Sequence, residues 1–91
     1  MSGTPIDGTI RPRIGAGFRL QWEPAQDAYV LLYPEGMVKL NQSAAEILKL
    51  CDGNSAVPTI VSNLERAFEV NGLADEVQDF MQEAYARGWL V

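Results

Sequence analysis

There is no histidine in these 91 residues, and a single cysteine, Cys51. Without histidine the commonest general base near neutral pH is missing, and so is every Ser-His or Cys-His nucleophilic pairing. One cysteine cannot close an internal disulfide or build a Cys-rich metal site. Cys51 falls on the apolar side of a helical pattern, where a core thiol outweighs a nucleophile. Cations are scarce as well: seven Lys and Arg stand against twelve Asp and Glu, a formal net charge of -5. Nucleic-acid binders carry basic patches that displace counterions, so the expectation is no nucleic acid. No apolar run approaches the roughly 18 residues of a membrane span, and no signal-peptide pattern opens the chain. The expected setting is therefore cytoplasmic, with no membrane. Gly15-Ala-Gly17 precedes a strand rather than a helix, so its glycines carry no phosphate-binding logic. These absences point away from an enzyme, and they imply no cofactor and no metal.

What is present is an ordinary globular composition, 47% hydrophobic and 21% charged, over a length that suits one core. Residues 1–17 are rich in Gly, Pro and Thr and read as a flexible N-terminal arm, with Pro12 to Ile14 touching the domain. The domain itself is expected over residues 18–91. Phe18, Leu20 and Trp22 alternate with Arg19, Gln21 and Glu23, the period-two mark of a strand with one face buried. "EPAQD" is a turn, "AYVLLY" at 28–33 a second strand, and "PEG" ends it. Met37 to Leu40 follows as a short third strand, completing an antiparallel meander.

Three helices are expected after the sheet. Ser43 and Glu46 have capping-box spacing, Ala44, Ile47, Leu48 and Cys51 share one face, and Gly53 is the stop signal. A second helix is expected from Ala56 to Val70, with Ile60, Val61, Leu64, Ala67 and Phe68 as its stripe and Pro58 in its first turn. The third, Leu73 to Arg87, has the stripe Leu73, Val77, Phe80, Met81, Ala84 and Tyr85. Trp89 to Val91 can fold back as an apolar plug. Three strands followed by three helices give an α+β, winged-helix-like domain.

Asp75, Asp79 and Glu83 lie at four-residue steps on the third helix and read as a solvated face rather than acid–base or metal chemistry. A winged helix can also read DNA, but here the helix presented would be acidic. Met37 to Leu40 has two readings. At a sheet margin, its unpaired N–H and C=O groups can recruit an extended peptide. Alternatively it only closes the sheet, with Lys39 as a gatekeeper.

Pro12, "LLYPEG" at 31–36, "VKLNQSAAEIL" at 38–48, "LCDG" at 50–53 and the closing "ARGWLV" resemble the PqqD family of pyrroloquinoline quinone biosynthesis proteins. The resemblance covers roughly residues 11–91. Ala56 and Thr59 depart from it, because relatives often carry a Thr cap and an acidic residue there; Ser55 or Asn54 is the substitute cap.

The resemblance implies a peptide chaperone, a recognition element for a ribosomally made precursor. The leader of the precursor, PqqA, would add as a strand against the third β-strand, beside the third helix. The complex would be delivered to PqqE, a radical S-adenosylmethionine (SAM) enzyme that holds the cluster and cofactor. Carried onto this chain, the peptide-binding residues are Met37, Val38, Lys39 and Leu40 on the strand and Val77, Met81 and Tyr85 on the helix. A proline at Val38 is expected to weaken binding more than stability if its N–H faces outward. The same edge could pair with a copy of itself, giving a homodimer. The competing reading is a non-catalytic winged-helix scaffold or regulator that binds another protein, or DNA.

Overall fold

The computed structural model describes residues 7–91 of the chain. Three strands, β1 (Arg19–Glu23), β2 (Ala28–Tyr33) and β3 (Gly36–Lys39), precede α1 (Gln42–Lys49), α2 (Val57–Phe68) and α3 (Ala74–Ala86). The α+β order is the one the sequence predicts. The sheet is antiparallel in the order β1-β2-β3. Arg19 pairs with Leu32 and Glu23 with Ala28 on one side, and Val30 with Lys39 and Tyr33 with Gly36 on the other. β2 is the central strand, and Val30 and Leu31 at its middle are fully buried.

The core follows from the helix patterns. Ala44, Ala45, Ile47 and Leu48 of α1, Val57, Ile60 and Leu64 of α2, and Val77, Met81 and Ala84 of α3 form one cluster with Leu31, Leu40, Cys51 and Leu90. Each helix thus spends one apolar stripe on a common centre, which is what makes three short helices stable together. Leu90 is the plug expected of the C-terminus, while Val91 stays exposed.

Several local expectations are corrected. α1 is capped by Asn41, whose side-chain oxygen accepts the Ala44 N–H at 2.8 Å, and not by Ser43. Ser43 already lies inside the helix, and Glu46 pairs with Lys49 at 2.8 Å instead of reaching back to a cap. The helix ends at Lys49, four residues before Gly53. α2 starts at Val57 with Ala56 in the cap position and no side-chain cap from Ser55 or Asn54; Pro58 occupies its first turn. Its C-cap, Glu69, takes the left-handed conformation (φ 54°), which ends the helix before Val70. Ala67 and Phe68 are therefore exposed rather than part of a buried stripe. Trp22 is 46% exposed and lies edge-on to Tyr29, with ring centroids 5.3 Å apart, so the alternation of β1 does not place it in the core.

The first six residues of the arm lie outside the described residues. Part of the remainder is tied to the domain. Pro12 is fully buried and its C=O accepts the Gly53 N–H at 2.9 Å. Arg13 donates to Val91 O at 3.2 Å, Val91 donates to Arg13 O at 2.9 Å, and Gly15 donates to Trp89 O at 2.9 Å. Residues 13–15 and 89–91 thus form a short antiparallel clasp, with Ile14 bridged to Leu90. The clasp is close at Gly15, where a Cβ would stand 3.2 Å from Gly88 O.

Candidate functional site at the open edge of the sheet

β3 has a single neighbour, β2, among the described residues. Which of its backbone groups are free follows from the register. Leu40 donates to Tyr29 O at 3.0 Å, and every β2–β3 partner pair keeps the same register. In an antiparallel ladder, hydrogen-bonded and non-bonded pairs alternate. Tyr29/Leu40, Leu31/Val38 and Tyr33/Gly36 are then the bonded pairs, while Met37 and Lys39 turn both N–H and C=O outward. The N–H of Val38 faces β2, which removes the premise under which a proline there would be a probe of the outer edge.

A groove of about 540 Å³ runs beside this edge. One wall is Val38, Lys39 and Leu40, and the start of α1 closes one end with Asn41, Ser43, Ala44 and Ile47. The opposite wall is a stripe of α3, Glu76, Phe80, Glu83 and Arg87, completed by Trp89. Steps of four, three and four residues put those α3 side chains on one helical face. Phe80 and Trp89 pack with ring centroids 6.4 Å apart, and the Arg87 guanidinium lies 5.5 Å from the Trp89 ring centre. Arg87 also donates to the Glu83 carboxylate. Glu76 and Lys39 have no ion pair among the described residues. The groove therefore has an apolar aromatic floor and uncompensated charges of opposite sign on opposite walls.

The residues expected to form the site fall in three places. Val38, Lys39 and Leu40 line the groove. Met37 does not; its side chain is 48% exposed, and what it offers the edge is main chain. Val77 and Met81, at 2% and 0% exposure, belong to the core, and Tyr85 is half-buried with its hydroxyl 3.5 Å from Val91 O. The groove face of α3 sits one residue earlier along the helix, a rotation of about 100°. Sequence reasoning missed Glu76, Glu83 and Arg87 as wall residues because apolar periodicity finds the core stripe and passes over a mixed one. The aromatic pair Phe80 and Trp89 on either side of Arg87 was the available signal.

Among the described residues no group of His, Cys, Asp and Glu could hold a metal ion. The Cys51 thiol is buried, donates to Ile47 O at 3.3 Å, and is pushed up to about 12 by burial and then by the Asp52 charge. A thiol with that pKa is protonated at neutral pH and unreactive. No helix among the described residues is long and apolar enough to cross a membrane.

Comparison with known proteins places the chain in a family. The PqqA binding protein of Pseudomonas aeruginosa is 54% identical over 80 residues, 87% of each chain. That of Azotobacter vinelandii is 50% identical over the same share. The solution structure of the PqqD truncation of Methylobacterium extorquens PqqCD, described as a functional, stand-alone recognition element for ribosomally synthesized and post-translationally modified peptides, superposes with a TM-score of 0.78. It is 25% identical, and 93% of each chain is covered. The family model described as Coenzyme PQQ synthesis protein D matches residues 28–90, from β2 through the C-terminal plug, and the chain belongs to the PqqD family.

Proposed function

We propose that this chain is a catalytically silent carrier in pyrroloquinoline quinone biosynthesis. In the cytoplasm it takes the precursor peptide PqqA as a fourth strand on β3 and presents it to the radical SAM enzyme PqqE. One observation carries this reading: the outward main chain of Met37 and Lys39 runs alongside a groove with an aromatic floor. The names of the relatives support PqqA as the occupant. Delivery to PqqE rests on the family resemblance, and the cluster and cofactor of that step belong to PqqE.

Two outward residues offer one N–H and one C=O each, so at most four ladder bonds. At roughly 0.5–1.5 kcal/mol each they contribute about 2–6 kcal/mol. Ordering a disordered peptide costs about 2–5 kcal/mol, and micromolar binding needs about 8 kcal/mol net. Two or three large apolar side chains, worth about 1.5–3 kcal/mol apiece when buried, make up the difference. The ladder sets direction and register; apolar anchors supply the affinity.

Titrating the ¹⁵N-labelled chain with synthetic PqqA tests the reading. Amide shifts are expected at residues 37–40 and along the Glu76–Arg87 face of α3. A titration that leaves residues 37–40 unmoved would sink strand capture. The same edge supports a homodimer of the peptide-free chain by β3 pairing. Sizing with and without PqqA checks that: the dimer should dissociate as peptide binds, and one that survives saturation is not made through β3.

A further inference from the structure

We infer that the bound peptide is held at a second place, an apolar pocket where α1, α2 and the start of α3 meet. The pocket takes one large apolar side chain from the part of the peptide that continues past Lys39, with a basic neighbour set against Glu76. This rests on the strand-capture reading.

The pocket has a volume of about 290 Å³ and is walled by Ile47, Leu64, Phe68, Val70, Leu73 and Val77. Its outer wall holds two of the most exposed large apolar side chains of the described residues, Phe68 at 45% and Val70 at 42%. The local backbone is arranged to place them there. Glu69 in the left-handed region turns the chain out of α2. Val70 then donates to Glu65 O at 3.0 Å, and Leu73 donates to the Glu65 side-chain carboxylate at 3.0 Å. One residue of α2 therefore pins both ends of the linker, and the pocket is formed before anything enters it.

Two observations identify the occupant as the groove's own peptide. The first is continuity: Ser43, Ile47 and Glu76 line both the groove and the pocket, so a chain leaving β3 at Lys39 meets the pocket next. The second is charge. Glu76 stands at the shared mouth without an ion pair among the described residues, Asp75 precedes it in the first turn of α3, and the other carboxylate of the rim, Glu46, is already bound to Lys49. An acidic mouth over an apolar pocket selects Lys or Arg beside a bulky apolar residue. A β3 edge with only two outward residues also leaves affinity to be found elsewhere, and this is the adjoining apolar site.

The test follows the labelled full chain, titrated with synthetic PqqA, as wild type, Phe68→Ala and Val70→Asp. Both substitutions are at exposed side chains, and the unliganded amide spectrum checks that the fold survives. In the wild type, amides of residues 68–73 and 37–40 are expected to shift with one common saturation curve. Either variant should weaken binding about tenfold, the loss of one buried apolar anchor, while residues 37–40 still reach their wild-type shifts at saturation. If residues 37–40 move but 68–73 do not, or if both variants bind as tightly as wild type, the second site is wrong and strand capture stands. If residues 37–40 do not move in the wild type, the capture reading falls first and this inference falls with it.

Discussion

Among the described residues the sheet has two open edges, and they differ in what stands beside them. On the β1 side the ladder alternation turns the main chain of Leu20 and Trp22 outward, as it does Met37 and Lys39 on the β3 side. Next to β1, Arg19 bonds Gln21 at 3.2 Å and Trp22 leans on Tyr29, while Lys49 sits 4.9 Å from the Tyr29 ring centre. Those side chains are occupied with one another. Beside β3 stands instead a helix face with an aromatic floor and, in Glu76, a carboxylate with no ion pair among the described residues. A free edge is a common hazard that proteins blunt with charge or short length. What turns such an edge into a binding site is the second wall, because backbone bonds alone give too little net affinity and no side-chain selection.

The largest effect on binding is expected at Val38→Pro. It deletes a donor that faces β2 and leaves the Leu31 carbonyl unpaired, costing about 1–3 kcal/mol and lowering Tm by roughly 4–20 °C. Peptide binding is lost with the strand, as thermal melts and calorimetry together would register. Phe80→Ala comes next, with a roughly 10- to 100-fold weaker Kd and a lowered Tm, since the half-buried ring lines the groove and also packs against the core. Its neighbour Met81→Ala makes the opposite trade, costing about 2–5 kcal/mol of stability from the buried side of the same helix. Lys39→Pro removes an outward donor and should weaken PqqA binding by up to about tenfold. Trp22→Pro, the matching change on the other edge, should leave binding untouched. Equal losses at the two would erase the distinction between the edges. Smallest is the response to salt: with Glu76 unpaired at the groove, affinity and on-rate should fall several-fold between roughly 0.01 and 0.5 M salt. Flat values would remove charge from the account.

Cys51 supplies a pH prediction independent of the peptide. Its folded pKa is raised from 9.0 to about 12, so the fold holds a proton there that the unfolded chain releases. That contribution is complete below pH 9 and is lost as pH rises through about 12. Denaturant melts of wild type and Cys51→Ala across that window should converge as the pH climbs.

Much of this was legible in the sequence, and the reasons are local. Apolar alternation and turn chemistry locate all three strands, because Pro34 and Gly36 leave a hairpin no other place to turn. The stripe Val77, Met81, Ala84 is likewise a clear mark of a buried helix face. At the site, periodicity singled out Val77, Met81 and Tyr85, whereas the groove is lined by the neighbouring mixed stripe, Glu76, Phe80, Glu83 and Arg87. The direction of the Val38 N–H could not be read either, since it depends on the phase of a ladder and not on residue type. Asn41 displaced Ser43 as cap because β3 hands over to α1 without a linker, bringing the start of the helix forward. The clasp of residues 13–15 with 89–91 joins segments about as far apart as the chain allows, beyond any window that periodicity scans.

That clasp carries an engineering consequence. Because entry and exit share one address, the domain can be spliced as a cassette into a loop of a host protein without stretching either junction, or closed into a circle and reopened at the 24–27 turn. The seam would lie beside Trp89, so any graft made there also retunes the aromatic floor on which a guest must rest.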